Sequence, residues 1–323
     1  MKNELKTLSD AIRYFADEQV CIDTVAAMRW PDGPHCPACL SLEPRQHWLK
    51  TQLRWQCREC GKQYSVKVNT IFEDSAVKLD KWLTAMWLLA NCKNGISSYE
   101  VAKDIGVTQK SAWFMLQRIR LAMKNKSVLK LGYQGGPVEM DETFIGGKLK
   151  NMHKSKKPKG TGFSARPTGS MAKTIVVGML ERKGRVRAEV VMERTHAALM
   201  VVANKHIAPG ASVVTDEWGG YKGMDFEHAI INHAVEYVNG QVHTQGIENF
   251  WALLKRSLGG TYIAVEPFHL DRYVDEQAFR YNNRATKDNP LTDKDRFALV
   301  LSQISGKRLT YAELTGKVGD PSF

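Results

Sequence analysis

Four cysteines stand in two tight pairs, Cys36-Pro37-Ala38-Cys39 and Cys57-Arg58-Glu59-Cys60, and the chemistry open to them is metal ligation. A Cys-x-x-Cys turn aims both thiolates at one ion, and two such turns complete the tetrahedral shell that zinc takes in structural sites. Residues 40–56 give the connection the length of a zinc-ribbon loop, and Gly61 after the last cysteine suits a tight turn. The competing readings are cysteines buried as small hydrophobes and a redox dithiol, for which no strand-helix context surrounds either pair. Cys21 and Cys92 stand apart and read as buried packing residues.

Three carboxylates form a second constellation. Asp141 follows Val138-Glu139-Met140, Asp216 closes Val213-Val214-Thr215, and Glu248 lies in an amphipathic helix over 243–256. Carboxylates at the ends of apolar strands face a cleft, where they repel each other and resist desolvation, so a pair of them implies bound cations. Hard oxygen ligands suit magnesium or manganese, and two such ions about 4 Å apart can activate an attacking oxygen and stabilise a leaving one in phosphoryl transfer. Lys255 falls two helical turns after Glu248, on the same face, where it and Arg256 can hold backbone phosphates. Taken singly, the aspartates read as turn caps and Glu248 as a solvated charge; the combination points to catalysis. Glu142, Glu217 and Asn249 adjoin the three acids and either orient them or replace one. His243 either orients a phosphate or activates water, or is a cap or packing residue at the helix start, and Trp218 and Tyr221 either stack on an unpaired base or pack in the core.

These groups need elements to position them. Apolar spacing predicts one or two short helices over 8–30, forming a small lid on the ribbon, and a core helix over 78–91. Ser97 and Thr108 read as caps of two helices separated by a turn at Gly106, the second reaching Met123. That pattern is a helix-turn-helix whose second helix offers Gln109, Lys110, Arg118 and Arg120 to DNA while Trp113, Leu116 and Ile119 pack inward; an ordinary helical hairpin with solvated charges is the alternative. After a glycine-rich boundary at 132–137, strands over 138–145, 174–180, 186–192 and 212–215 and a helix over 196–206 predict a mixed α/β sheet. Residues 148–173 read as a mobile basic loop, and 267–284 as a helix covering the sheet. The expected domains are 1–76 (helices and ribbon), 77–131 (helix-turn-helix) and 132–323 (α/β catalytic domain with its loop and carboxy-terminal helices).

The 323 residues are 43% hydrophobic, enough for a sizeable core, and carry a formal net charge of +12, which favours a polyanionic partner. The most apolar stretch, 82–92, is interrupted by Thr84 and is far short of the ~20 residues of a membrane span. A polar start without a secretory pattern predicts a cytoplasmic, nucleoid-associated protein.

Asp141-Glu142-Thr143-Phe144-Ile145-Gly146-Gly147-Lys148, Thr215-Asp216-Glu217-Trp218-Gly219-Gly220-Tyr221, and 243–256 followed by Gly259-Gly260-Thr261-Tyr262 resemble bacterial insertion-sequence transposases of the DDE class. The resemblance is to the ISXO2-like group, which carries an amino-terminal zinc ribbon and is related to the Merlin elements, and it runs from about residue 8 to 284. It implies a ribonuclease H-like catalytic domain in which Asp141, Asp216 and Glu248 are a metal-binding triad for two Mg2+ or Mn2+ ions, beside one structural Zn2+. Some members of the group carry Asn as the third residue, which leaves Glu248 and its neighbour Asn249 both open. The implied activity is binding of terminal inverted repeats in double-stranded DNA, cleavage at the element ends and joining of the 3′ hydroxyl to target DNA, in a homodimer or larger assembly. A zinc-ribbon DNA-binding regulator without catalysis and a structure-specific nuclease of the same fold are the alternatives.

Overall fold

Side-chain caps set where the helices of the amino-terminal region begin. Thr7 and Asp10 close a capping box on α1 (Leu8–Tyr14), and Asp17 caps α2 (Glu18–Arg29) by accepting from the Gln19 N–H. The computed structural model describes residues 5–42, 44–124, 127–147, 149–151, 153, 173–231, 244–287 and 289–317. Three short strands, β1 (Gln46–Leu49), β2 (Arg54–Cys57) and β3 (Gln63–Tyr64), pair antiparallel in that order. Nine of the 13 residues of α3 (Leu79–Asn91) are buried, which makes it the central helix of its unit. A second capping box, Ser97 with Glu100, starts α4 (Ser98–Ile105); Gly106 turns the chain at φ 63°, and Thr108 caps α5 (Gln109–Met123).

A second sheet follows, built from β4 (Val138–Ile145), β5 (Thr174–Glu181), β6 (Val186–Val191), β7 (Ser212–Thr215) and β8 (Glu227–Ile230), with α6 (His196–His206) between β6 and β7. The strand order is β6-β5-β4-β7-β8, antiparallel from β4 outward through β5 to β6 and parallel from β4 through β7 to β8. Alternation along each strand divides the side chains between two cores. Val138 and Met140 of β4 and Val177 and Met179 of β5 join Leu199, Val202 and Ala203 of α6 on one face. Val176 and Leu180 meet α7 (Gln245–Arg256) and α8 (Leu270–Asn282) on the other, through Ile247, Phe250, Trp251, Leu270 and Val274. The mixed α/β sheet expected from the sequence is present, with α8 covering it; the four-residue edge strand β8 has no apolar alternation to announce it.

The chain divides into two units, Met1–Lys124 with Asn283–Phe323, and Asn125–Asn282. This differs from the sequence-based boundaries, which placed everything after 131 in the catalytic domain. Residues beyond α8 pack with the first unit because α9 (Asp293–Leu301) completes the surface of α3: Phe297 lies 5.6 Å from the Trp87 ring and 5.5 Å from that of Phe15, and Arg296 donates to Asn91. A short α10 (Tyr311–Leu314) follows. Most of the basic loop 148–173 lies outside the described residues.

Candidate active site

The two cysteine knuckles share one backbone design. In each, the residue after the second cysteine donates its N–H to the carbonyl of the first, Leu40 to Cys36 and Gly61 to Cys57, both at 2.9 Å, and each takes a positive φ, 61° and 71°. The first knuckle is a turn without flanking strands and the second joins β2 to β3. Sγ of Cys36 lies 3.6 Å from that of Cys60, and Cys39 the same distance from Cys57, with all four sulfurs within 4.8 Å of one another. A tetrahedron of thiolates at the 2.3 Å zinc–sulfur distance has edges of ~3.8 Å, so the four cysteines fit a structural zinc ion. Ser41 Oγ sits 3.0 Å from Cys57 Sγ and 3.4 Å from Cys39 Sγ; its hydrogen bonds favour the thiolates and draw Cys57 down to about 6. Trp30, Trp48, Trp55 and Tyr64 pack around the small sheet, giving the ribbon an apolar body.

The helix-turn-helix residues divide. Lys110 is exposed at the start of α5, with Nζ 4.7 Å from the Tyr311 ring, and Gln109 is half-buried, donating to Ser98. Arg118 and Arg120 are buried, 5% and 1% exposed, which corrects their assignment as DNA contacts. Arg118 donates to the carbonyls of Leu309, Ile71 and Glu73 and stacks on Phe114. A guanidinium has enough donors to satisfy several distant carbonyls at once, so here the charge ties chain segments together inside the unit. Leu116 and Ile119 pack inward as expected, whereas Trp113 is half-buried.

Asp141 and Asp216 meet through sheet register. β4 and β7 pair in parallel at Val138 with Val213 and Glu139 with Val214; continued two residues further, the same register sets Asp141 opposite Asp216, just past the end of β7. Parity places both on the face covered by α7. Burial, then the charge of Glu142, then that of Asp216 push the Asp141 carboxyl up to about 7, against a 2.9 Å hydrogen bond donated by Trp251 Nε1. Asp216 Oδ1 accepts the backbone N–H of Trp218.

Two glycines let α7 come this close. A Cβ on Gly178, the β5 partner of Asp141, would lie 2.5 Å from the Trp251 ring, and one on Gly246 would lie 2.4 Å from Leu180. Glu139, 1% exposed and two residues before Asp141 on the same face, accepts the Ile247 N–H at 2.9 Å at the start of α7, with Arg182 against its other oxygen. It therefore serves as a helix cap supplied from the sheet, since Thr244 makes no side-chain cap bond.

Glu248 is exposed and accepts from Thr244 Oγ1. On α7 it shares a stripe with Thr244, Trp251 and Lys255, whereas Asn249 shares the fully exposed stripe of Gln245, Ala252 and Arg256. Among the described residues the four cysteines form the one group of three or more ligand side chains closing to within 4.8 Å, so Asp141, Asp216 and Glu248 do not close on one another as a set. Exposed Lys255 lines an open groove of about 580 Å3 with the end of β4 and Gly259. His243 lies outside the described residues.

On the opposite face of β4, Glu142 is buried, receives the Tyr221 hydroxyl hydrogen bond and pairs with Arg194. Burial raises its carboxyl, and Tyr221 and Arg194 draw it back. Tyr221 is wholly buried, so it is a core residue and not a base-stacking platform. The sequence reading passed over Glu139, Arg194 and Trp251. A polar residue at a period-two core position, as Glu139 is, was the available signal; the other two give none until the fold brings them to the acids.

The family described as ISXO2-like transposase domain matches residues 134–282, and the one described as transposase zinc-ribbon domain matches residues 16–63. A relative from Halobacterium salinarum, named an uncharacterized protein in transposable element ISH50, is 26% identical over 256 residues, covering 76% of this chain and 85% of its own.

Proposed function

We propose that this chain, which belongs to the ISXO2-like transposases and carries their zinc-ribbon domain, cuts DNA at the ends of its element and joins the freed 3′ hydroxyl to target DNA. The observation that carries this reading is the β4–β7 register, which, continued two residues past its last pair, sets Asp141 opposite Asp216 on the face covered by α7. An Asp141 carboxyl held near 7 by burial and two neighbouring acids is unfavourable to ionise alone, and a divalent cation reverses that balance. Asp141 and Asp216 would hold magnesium or manganese, with Glu248 the third ligand in preference to Asn249, whose stripe faces away from Trp251. Bound there, two such ions would activate the attacking oxygen and stabilise the leaving one.

The chain's own residues do the rest. Asp141 is oriented by the Trp251 indole and Asp216 by the Trp218 N–H, so each offers its remaining lone pairs in a fixed direction. Lys255 and Arg256, exposed on the last turn of α7, hold backbone phosphates. The ribbon, with Lys110 and Gln109 at the start of α5, grips the element ends. Joining requires two ends held together, so the working form is a dimer or larger assembly. Among the described residues no helix is long and apolar enough to cross a membrane.

The test uses the full chain, magnesium and linear DNA carrying the inverted repeats that flank its gene. Asp141→Asn and Asp216→Asn abolish both cleavage and strand joining while end binding persists; Glu248→Gln does the same and Asn249→Ala does not. An Asp141→Asn protein that still cuts normally would overturn the assignment, and cleavage without joining would mark a nuclease.

A further inference from the structure

Asp216 lies beyond the last paired residue of a four-residue strand, yet it must keep its station beside Asp141. Strand pairing alone does not extend to it. The loop that carries it is held from the other side of the sheet, by residues that touch neither acid through their own side chains.

We propose that Glu142, Tyr221, Arg194 and Trp218 form a clasp that fixes the spacing of the two metal-binding aspartates, with Tyr221 as its closing contact; the inference rests on the reading of Asp141 and Asp216 as ligands. The contacts form a circuit. Glu142 is covalently next to Asp141 but points to the α6 face, where it accepts the Tyr221 hydroxyl and pairs with Arg194. Arg194 stacks its guanidinium 3.7 Å over the Trp218 ring, and Trp218 meets Tyr221 edge-on at 5.5 Å. The Trp218 N–H then returns to Asp216 Oδ1 at 3.1 Å. Gly220 lets the indole lie flat on the loop, since a Cβ there would fall 1.8 Å from the Trp218 ring, and its carbonyl meets His196 Nδ1 at the start of α6 at 2.9 Å.

Each link has a reason to be rigid. The Tyr221 side chain is wholly buried, and its hydroxyl has Glu142 as acceptor; a buried hydroxyl and carboxylate lose far more by parting than they gain by pairing. The clasp therefore transmits the position of β4 to the Asp216 turn, and Glu142 is a positioning residue and not a ligand.

The experiment is a MnCl2 titration of the full chain, read both as end cleavage and as Mn2+ bound per chain by the loss of the free-ion EPR signal. Tyr221→Phe removes one hydroxyl and leaves the ring. The half-saturating Mn2+ concentration rises roughly 10–100-fold, as is usual when a group that orients a metal ligand is lost, while cleavage at saturating Mn2+ stays near the parent's and the thermal midpoint falls modestly, because buried Glu142 loses one donor and keeps Arg194. Arg194→Lys shifts it in the same direction by less, because an ammonium keeps the charge and loses the planar stack. A merely structural role would lower the rate equally at every Mn2+ concentration, and that result, or a titration unchanged from the parent's, overturns the clasp. Should Tyr221→Phe not fold, Trp218→Phe, which keeps an aromatic ring and loses much of the Arg194 stack, is read by the same criterion. Asp216→Asn separates the two levels: if it cuts normally, the ligand assignment has failed, whereas a dead Asp216→Asn beside an unshifted Tyr221→Phe rejects the clasp alone.

Discussion

Each half of the cysteine site is made within four residues of chain, Cys36 to Cys39 and Cys57 to Cys60, whereas the carboxylate pocket draws Asp141 and Asp216 from two strands that meet only through register. The knuckles need a turn and a small sheet to face each other. The pocket needs β4 and β7 paired, α7 laid on β4 and β5 by the absence of side chains at Gly178 and Gly246, and Trp251 brought onto Asp141. A site of the first kind tolerates changes elsewhere in the chain; one of the second kind inherits every packing error of its unit.

That contrast can be broken at several points. Metal removal should have the largest effect. A strong chelator, or Cys57→Ser, strips a tetrahedral zinc whose binding energy is of order 10 kcal/mol, unfolding the ribbon and abolishing end binding. The sheet carrying Asp141 should remain folded, seen as a protease-resistant fragment near 125–282; concerted loss of that fragment would deny the independence of the two sites.

Gly178→Ala comes next. The added methyl meets the Trp251 ring at 2.5 Å, so the helix or the indole must move, at a cost of about 1–3 kcal/mol in denaturant unfolding. Cleavage should become less responsive to Mn2+ while zinc content is unchanged. Arg118→Ala leaves three carbonyls without their donor and removes a stacked guanidinium, and should cost about 1–3 kcal/mol of stability in the ribbon-containing unit. An Arg118→Ala protein of full stability with weakened DNA binding would restore the discarded view of this residue. Smallest is Lys110→Ala, with stability unchanged and the slope of log affinity against log salt reduced by about 1.

The same contrast explains what could be read in advance. The cysteine ligands were legible because spacing alone determines which way a knuckle points. The strands that carry Asp141 and lead to Asp216 were legible as apolar runs interrupted by carboxylates, although Asp141 sits in the middle of β4 and not at the strand end expected of it. Capping residues Ser97 and Thr108 marked the two helices of the turn motif, and both stand where expected. Arg118 and Arg120 were misplaced because helical period separates apolar from charged faces and says nothing of a later segment folding back; Leu309, 191 positions along, supplies a carbonyl to Arg118. Glu142 was read as a neighbour of the ligands without a fixed role, since the face of β4 it occupies matters only once Tyr221 is known to lie beneath it.

The return of residues after Asn282 to the first unit sets an order of completion during synthesis. Domains fold as units as the chain emerges, so the strand-and-helix body with both aspartates can finish while the ribbon-and-helix body still lacks Phe297 against Trp87 and the Leu309 carbonyl for Arg118. A message broken just after codon 282 would yield a finished strand-and-helix body beside an unfinished ribbon-and-helix body. Translation through the last helices is thereby a built-in condition for completing the first unit.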